Sequence, residues 1–211
     1  ASYSQAYVAC QYAQQIGSAS ANNGTDANYE AENAGGWSNL YIYVLPQLNN
    51  IIKKGKTSDA PAYVGIAKVL LAYNLGMATS SWENIPFTKA DYLEIDSFDT
   101  FTPTYDSQKS VYGSIQTLLD EAIVELAKTS GSKPGNDDRI YMGDTGKWTR
   151  LAYSLKAKYA MHLSVPNGTA AATAALASVA KGMASNADDF QLQYNSKNLS
   201  PWYSRVALAN T

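Results

Sequence analysis

Residues 37–77 read WSNLYIYVLPQLNNIIKKGKTSDAPAYVGIAKVLLAYNLGM, and the spacing of apolar residues in this stretch decides the fold. The first apolar stripe recurs at the i, i+3, i+4, i+7 interval of one helix face. Its members are Leu40, Tyr41, Val44, Leu45, Leu48, Ile51 and Ile52. Gly55 is expected to end this helix. Pro46 lies inside the stripe and predicts a kink, because proline has no N–H to donate to the preceding turn.

A second helix is predicted to begin after Ser58 and Asp59, with Pro61 well placed in its first turn. Its predicted buried face consists of Tyr63, Ile66, Ala67, Leu70, Tyr73 and Met77. The connection between the two helices is short, and short connections join antiparallel neighbours. Residues 37–77 therefore predict a helix hairpin.

Further helices are predicted over residues 3–16, 111–126, 148–162 and 169–185. Asp106 is the expected N-cap of the helix at 111–126, and Asp144 or Thr145 that of the helix at 148–162, which should end near Pro166. Long polar loops are predicted over residues 17–36, 80–105, 130–144 and from 188 onward. No segment shows the alternation typical of a strand, so the fold class is all-α, with helix hairpins and long irregular loops.

The composition excludes several kinds of function. The 211 residues carry 16 Lys and Arg against 18 Asp and Glu, and a net charge of -2 offers no attraction to nucleic acid. A single Cys and a single His do not supply the four ligands of a structural zinc site. No apolar run approaches the about 18 residues of a membrane span. We expect a mature or trimmed chain, with Cys10 buried in the first helix, and we predict no cofactor and no metal site.

Catalytic signatures are weak. His162 lies on the apolar face of a predicted helix, which favours a packed histidine over a triad base, and no G-x-S-x-G elbow occurs. A glycosidase needs only two carboxylates, so loop acids such as Glu83, Asp137 and Asp138 leave that alternative open. The same acids leave an isolated calcium site open, although no EF-hand loop is present. Solvated acids and helix caps explain these residues more simply.

Aromatic residues divide into two sets. Those on the apolar stripes are expected to pack in the core: Trp37, Tyr41, Tyr63, Tyr73, Trp148 and Tyr159. The others lie in loops among Asn, Gln and Asp: Tyr29, Trp82, Phe87, Tyr92, Phe98, Phe101, Tyr105, Tyr194, Trp202 and Tyr203. Flat rings beside planar polar groups suit sugars, whose C–H faces stack on rings while hydroxyls seek hydrogen bonds. The simpler alternative is that these rings anchor the loops to the helices.

Four blocks of sequence, in order, resemble the SusD/RagB family, the surface nutrient-binding lipoproteins of Bacteroidetes. They are WSNLY at 37–41 continuing to LNNII at 48–52, AK at 67–68 leading to WENIPF at 82–87, YDSQ at 105–108, and DRIYMGD at 138–144 followed by KW at 147–148. The second block is similar to the family's W-G-D-I-P-Y turn. The resemblance covers residues 37–164 well and the ends loosely.

This resemblance implies an all-α fold of tetratricopeptide-like helix pairs and a non-catalytic protein. It implies a glycan or other oligomeric ligand, a SusC-like TonB-dependent transporter as partner, and an N-terminal lipid at the outer membrane that this chain does not contain. Residues 1–211 are expected to form a single SusD-like domain without the family's C-terminal part, in a truncated or unusually short member. The alternative is a tetratricopeptide-like interaction scaffold that binds no sugar.

The predicted ligand-binding residues come from two sources. The loop ahead of Trp37 corresponds in place to a ligand-binding region of glycan-binding members, which indicates Asn28 and Tyr29. The loop aromatics add Trp82, Trp202 and Tyr203. Two departures from the family pattern affect other positions. Glu83-Asn84 replaces Gly-Asp, so a different backbone conformation is expected there, and Lys158 and His162 stand where the family tends to have arginines, so bidentate contacts are not expected at either position.

Overall fold

The computed structural model describes residues 34–90, 102–129 and 131–201, together with 13, 15, 203, 204 and 208. The chain divides into two compact units, one of residues 1–44 and 193–211 and the other of residues 45–192. Apart from residues 13 and 15, the helix predicted over 3–16 lies outside the described residues, and so does Cys10. Most of the loop predicted over 17–36 lies outside them as well.

The unit of residues 45–192 contains α2 (Leu45–Thr57), α3 (Pro61–Trp82), β1 (Ile85–Pro86), β2 (Tyr105–Asp106), α4 (Gln108–Leu126), α5 (Thr145–His162), α6 (Ser164–Val179) and a 3-10 turn (Asn186–Asp188). Each helix packs on the next one along the chain, and α3 also contacts α5. The two short strands pair antiparallel, with Ile85 opposite Asp106. The all-α prediction is confirmed.

Helix α3 is buried on nearly all sides, and the buried face predicted for it is wrong. Of the six residues in the predicted stripe, only Ala67 is buried, and the other five are half-buried. The most enclosed positions include Val69, Leu71 and Leu75. A helix packed between α2, α4 and α5 is apolar all round, so its sequence period says little about which face is core.

Length and composition alone would allow α3 to cross a membrane, contrary to the expectation that no apolar run is long enough. However, 67% of its most apolar stretch is buried inside the protein. Lys68 also lies on this helix and is 6% exposed. The apolar character of α3 therefore follows from its central place in the core.

Large aromatic side chains of α5 fill the space beside α3. Trp148 and Tyr159 are each 1% exposed. The hydroxyl of Tyr159 donates to the carbonyl oxygen of Tyr73 over 3.2 Å, and burial raises the pKa of that hydroxyl. The ring of Tyr159 lies against Gly76, where a side chain would collide with it. The core predictions for Trp148 and Tyr159 are confirmed.

The helix caps are partly as expected. Asp144 caps α5 as predicted, its carboxylate accepting from the Lys147 N–H. For α4 the prediction of Asp106 is wrong, since Ser107 is the N-cap and accepts from the Ser110 N–H. Asp106 is instead occupied by hydrogen bonds from the segment after β1.

The boundary between α5 and α6 also differs from the prediction. Helix α5 ends at His162, and α6 begins at Ser164, so Pro166 lies in the first turn of α6 instead of closing α5. A first-turn proline is tolerated because its missing N–H has no helical partner there. Gly168, with φ of 49°, interrupts α6, so the alanine-rich part that was predicted to begin at residue 169 follows this break.

In the unit of residues 1–44 and 193–211, α1 (Ala34–Ser38) leads into a π-helical turn (Asn39–Val44). The rings of Trp37 and Tyr41 lie 4.5 Å apart within this segment. The turn ends two positions before Pro46. The irregularity predicted around Pro46 therefore takes the form of a widened turn ahead of it, a common way for a helix to adapt to a disrupted hydrogen-bond ladder.

Candidate functional site

An open pocket of about 480 Å³ lies in the unit that contains residues 193–211. It is lined by Tyr194, Asn195, Ser196, Leu199, Ser200, Tyr203 and Leu208. Tyr203 is one of the predicted ligand-binding residues, and Tyr194 belongs to the loop aromatics. We call this the tyrosine pocket.

Local hydrogen bonds hold the wall of the tyrosine pocket. The side-chain oxygen of Asn195 accepts from the backbone N–H groups of Lys197 and Asn198, both over 2.9 Å. Its amide nitrogen has no protein partner among the described residues, so two N–H donors remain for a ligand. The hydroxyl oxygen of Ser200 accepts from the Tyr203 N–H over 3.0 Å. These bonds fix the backbone that carries the rings of Tyr194 and Tyr203.

The rings themselves remain accessible. Tyr194 is 47% exposed and Tyr203 is 51% exposed. Each offers an apolar face and a hydroxyl that both donates and accepts, with the Asn195 amide beside them. This combination suits a polyhydroxylated ring, which buries C–H groups against an aromatic face and pairs its hydroxyls with fixed polar groups.

The structure places the other predicted residues as follows. Asn28, Tyr29 and Trp202 lie outside the described residues. Trp82 is half-buried at the C-terminal end of α3, in the unit of residues 45–192. A shared site for all five residues stays a prediction. Tyr194 and Asn195 were not selected as site residues, since their sequence context resembles that of any polar loop.

The second and third sequence blocks meet in the structure. β1 follows Trp82 and pairs with β2, which opens the third block. The carboxylate of Asp106 accepts from the backbone N–H groups of Phe87 and Thr88 over 3.0 and 2.8 Å. The Asn84 side-chain oxygen accepts from the Gln108 N–H over 3.0 Å. These residues therefore close a turn and start α4, which is a structural role.

The expected change of backbone conformation at Glu83 is wrong. Glu83 has φ of 63° and ψ of -97°, a region that favours glycine. The carbonyl oxygen of Glu83 accepts from the Thr79 hydroxyl over 2.6 Å. The turn thus keeps a conformation suited to glycine although a glutamate stands there, and the surrounding hydrogen bonds hold it.

The fourth block is organised around the carboxylate of Asp138. Its Oδ1 accepts from the N–H groups of Ile140 and Tyr141, and its Oδ2 from the Gly143 N–H and the Trp148 indole. With four N–H donors around it, Asp138 is not available as one of a catalytic carboxylate pair. The acid is a structural element of the turn.

His162 is hydrogen-bonded, as predicted, but the expectation that it is buried is wrong, because the residue is exposed. Its Nδ1 lies 2.8 Å from the hydroxyl of Tyr112, and its ring makes edge contacts with Tyr112 and Tyr159 at centroid distances of 5.5 Å. Partial desolvation of its ring, assisted by the charge of Lys158, lowers the pKa of His162. In the part of the chain that the structure describes, no three His, Cys, Asp or Glu residues cluster as metal ligands would.

Comparison with known proteins gives the family. A family profile described as starch-binding and associating with the outer membrane matches residues 1–210. No curated protein sequence matches the chain. Among solved structures, a SusD homologue from Bacteroides uniformis superposes with a TM-score of 0.70 at 23% identity, covering 81% of this chain and 35% of its own.

Two further structures are similar at higher identity. A SusD/RagB family protein from Bacteroides thetaiotaomicron shares 27% identity with a TM-score of 0.67, covering 81% of this chain and 36% of its own. A chitin-binding SusD homologue from Flavobacterium johnsoniae shares 26% identity with a TM-score of 0.66, covering 82% and 36%. The chain thus spans about a third of the length of these proteins. Because the profile covers nearly every residue, the chain belongs to the SusD-like family.

Proposed function

We propose that this protein is a non-catalytic component of an outer-membrane uptake system that captures a glycan. The observation that carries the proposal is the tyrosine pocket, where two accessible rings and a fixed amide surround a space of about 480 Å³. The family description as starch-binding supports a glycan ligand, and so does the chitin-binding relative.

The proposal includes a SusC-like TonB-dependent transporter as partner and surface exposure through an N-terminal lipid in the full-length protein. It also includes that residues 1–211 form a single domain, as part of a larger SusD-like fold. The absence of catalysis is supported at two candidates, since Asp138 is held by four N–H groups and His162 is hydrogen-bonded to Tyr112. The alternative function is an interaction scaffold that binds no sugar.

Affinity electrophoresis in amylopectin, with calorimetry against maltoheptaose and chitohexaose, tests the proposal. Tyr203→Ala and Tyr194→Ala should each weaken binding about tenfold, equivalent to about 1.4 kcal/mol. Tyr43→Ala is the matched control, because Tyr43 is an exposed tyrosine of the same unit that does not line the pocket. If neither the wild type nor the pocket variants bind any of these glycans, while their circular dichroism is intact, glycan capture is overturned. Co-purification with a transporter would then support the scaffold.

A further inference from the structure

A second cleft, of about 280 Å³, lies in the unit of residues 45–192. Its floor is apolar and comes from Ile51 of α2, Ile66 of α3 and Pro134 of the loop before α5. Four polar side chains also line it: Tyr63, Asp137, Asp138 and Arg139. We call it the Asp137 cleft.

The carboxylate of Asp137 is fixed in position. The Tyr63 hydroxyl donates to its Oδ2 over 2.6 Å, and the Gly135 N–H donates to its Oδ1 over 2.7 Å. These two hydrogen bonds lower the pKa of Asp137, so the group is charged at neutral pH. Each carboxylate oxygen has a second lone pair, so both still accept from a ligand.

Arg139 supplies the opposite charge. It is exposed, and within the described part of the chain its guanidinium has no hydrogen-bond or ion-pair partner. Its planar group offers five N–H donors in a fixed geometry. The cleft therefore presents one carboxylate, Asp137, and one guanidinium, Arg139, that can each bind a ligand. Asp138 adds a second negative charge, but four N–H donors already occupy its oxygens.

This arrangement selects for a neutral, hydroxyl-rich ligand. An anion would be attracted by Arg139 but repelled by both Asp137 and Asp138, and a cation would be repelled by the guanidinium of Arg139, which no carboxylate among the described residues neutralises. Vicinal hydroxyls pair with both groups, and the C–H face of the ring then covers the apolar floor. At about 280 Å³ the cleft is near the lower limit of about 300 Å³ for small-molecule sites, which restricts it to a small group such as one sugar unit.

We propose that the Asp137 cleft is a second saccharide site, separate from the tyrosine pocket, that binds a neutral pyranose unit of the glycan. The proposal rests on the proposed glycan capture and adds to it a named subsite. Asp137 accepts from the sugar hydroxyls, Arg139 donates to the hydroxyl oxygens, and Tyr63 holds Asp137 in place.

Amide NMR of the full chain, titrated with maltoheptaose and chitohexaose, locates binding in each unit independently. In a Tyr203→Ala background, the Gly135 and Ala67 amide signals should still shift and saturate. Adding Asp137→Asn or Arg139→Gln should weaken that saturation about tenfold or more. Asp189→Asn is the control, because Asp189 is an exposed carboxylate that does not line the cleft.

Each result has a defined meaning. If Asn195 shifts with the glycan but Gly135 and Ala67 do not, the cleft proposal is overturned and glycan capture stands. If Gly135 shifts while Asn195 does not, the cleft is upheld and the tyrosine pocket is wrong. Stronger binding of oligogalacturonate than of maltoheptaose at Gly135 would overturn the assignment to a neutral sugar. Near-UV circular dichroism of every variant separates lost binding from lost folding.

Discussion

The indole N–H of Trp148 donates to Oδ2 of Asp138 over 2.7 Å. Trp148 is almost completely buried in α5, whereas Asp138 belongs to the loop ahead of that helix. This bond therefore attaches the turn at 138–144 to the core. The same turn presents Tyr141, whose buried hydroxyl donates to the Asp188 carbonyl and has its pKa raised to about 12 by burial. The turn that Asp138 holds thus links α5 to the segment at Asp188, which is distant in sequence.

Replacing Asp138 with Asn should destabilise the protein. The asparagine side chain has one acceptor oxygen, whereas the aspartate has two. In the variant, the NH2 group would therefore face two N–H donors that a carboxylate oxygen accepts from in the wild type. Two or more buried donors lose their partner, and we expect the free energy of unfolding to fall by about 3 kcal/mol. Urea unfolding followed by tryptophan fluorescence measures this. Asp189→Asn, on an exposed carboxylate, should leave the midpoint unchanged, and an equal effect of both variants would contradict the structural role.

Sequence periodicity was sufficient where a helix has one buried face, as in α4, where Val111, Ile115 and Leu119 are fully buried as predicted. It failed for α3, because a helix surrounded by neighbours has no polar face to define a period. Asp106 was misassigned because its actual donors, Phe87 and Thr88, are remote in sequence. Local capping rules contain no information about such partners.

The candidate sites show the same limit. Composition and loop position were enough to select Tyr203, which lines the tyrosine pocket. Which rings share a pocket depends on how the loop folds, and the sequence does not encode that in any spacing. The Asp137 cleft was missed entirely, because it exists only where the loop around Pro134 packs over Tyr63 and Ile51.

Glu83→Gly should stabilise the protein. The residue holds φ of 63°, which is strained for any side chain with a Cβ. Relief of that strain, offset by a more flexible unfolded chain, should raise the free energy of unfolding by about 1 kcal/mol. Glu83→Ala is the matched control, since it removes the same carboxylate but keeps the Cβ, and it should give no gain. Thermal unfolding of both variants would show whether backbone conformation or charge is responsible.

Two glycines should respond in opposite directions to alanine. At Gly76 an added Cβ would lie 2.1 Å from Cζ of the buried Tyr159, so the ring or the helix must move. We expect Gly76→Ala to lower the free energy of unfolding by about 1–3 kcal/mol. At Gly113, in α4, nothing lies within 4 Å of the added atom. Gly113→Ala should therefore raise stability by up to about 1 kcal/mol through helix propensity, and denaturant midpoints would test both changes.

Removing one partner of the ion pair between α3 and α4 should change stability differently from removing the other. Lys68 Nζ lies 2.7 Å from the Glu121 carboxylate, and the two side chains are 7% and 52% exposed. Glu121→Gln leaves a buried ammonium without its partner and should reduce stability by about 1–2 kcal/mol, less than for a fully buried pair because water reaches Glu121. Lys68→Met removes the buried charge and should be neutral or stabilising. The double variant should match Lys68→Met in urea unfolding; a further loss would contradict this explanation.

His162 should make stability depend on pH near neutrality. Although the residue is exposed, partial desolvation of its ring, with a contribution from Lys158, holds the folded-state pKa of His162 below its ordinary value of 6.5. Above that value the imidazole is neutral in both states and the stability is fully present. As the pH falls below it, the unfolded chain binds a proton that the folded chain resists, so the free energy of unfolding decreases until the folded pKa is passed.

Urea midpoints measured between about pH 8 and pH 5 should decline for the wild type and decline less for His162→Gln. The carboxylates of Asp106 and Asp188, whose folded pKa values are lowered from 3.8, contribute only at more acidic pH. Identical slopes for the two proteins in this range would show that His162 titrates alike in both states.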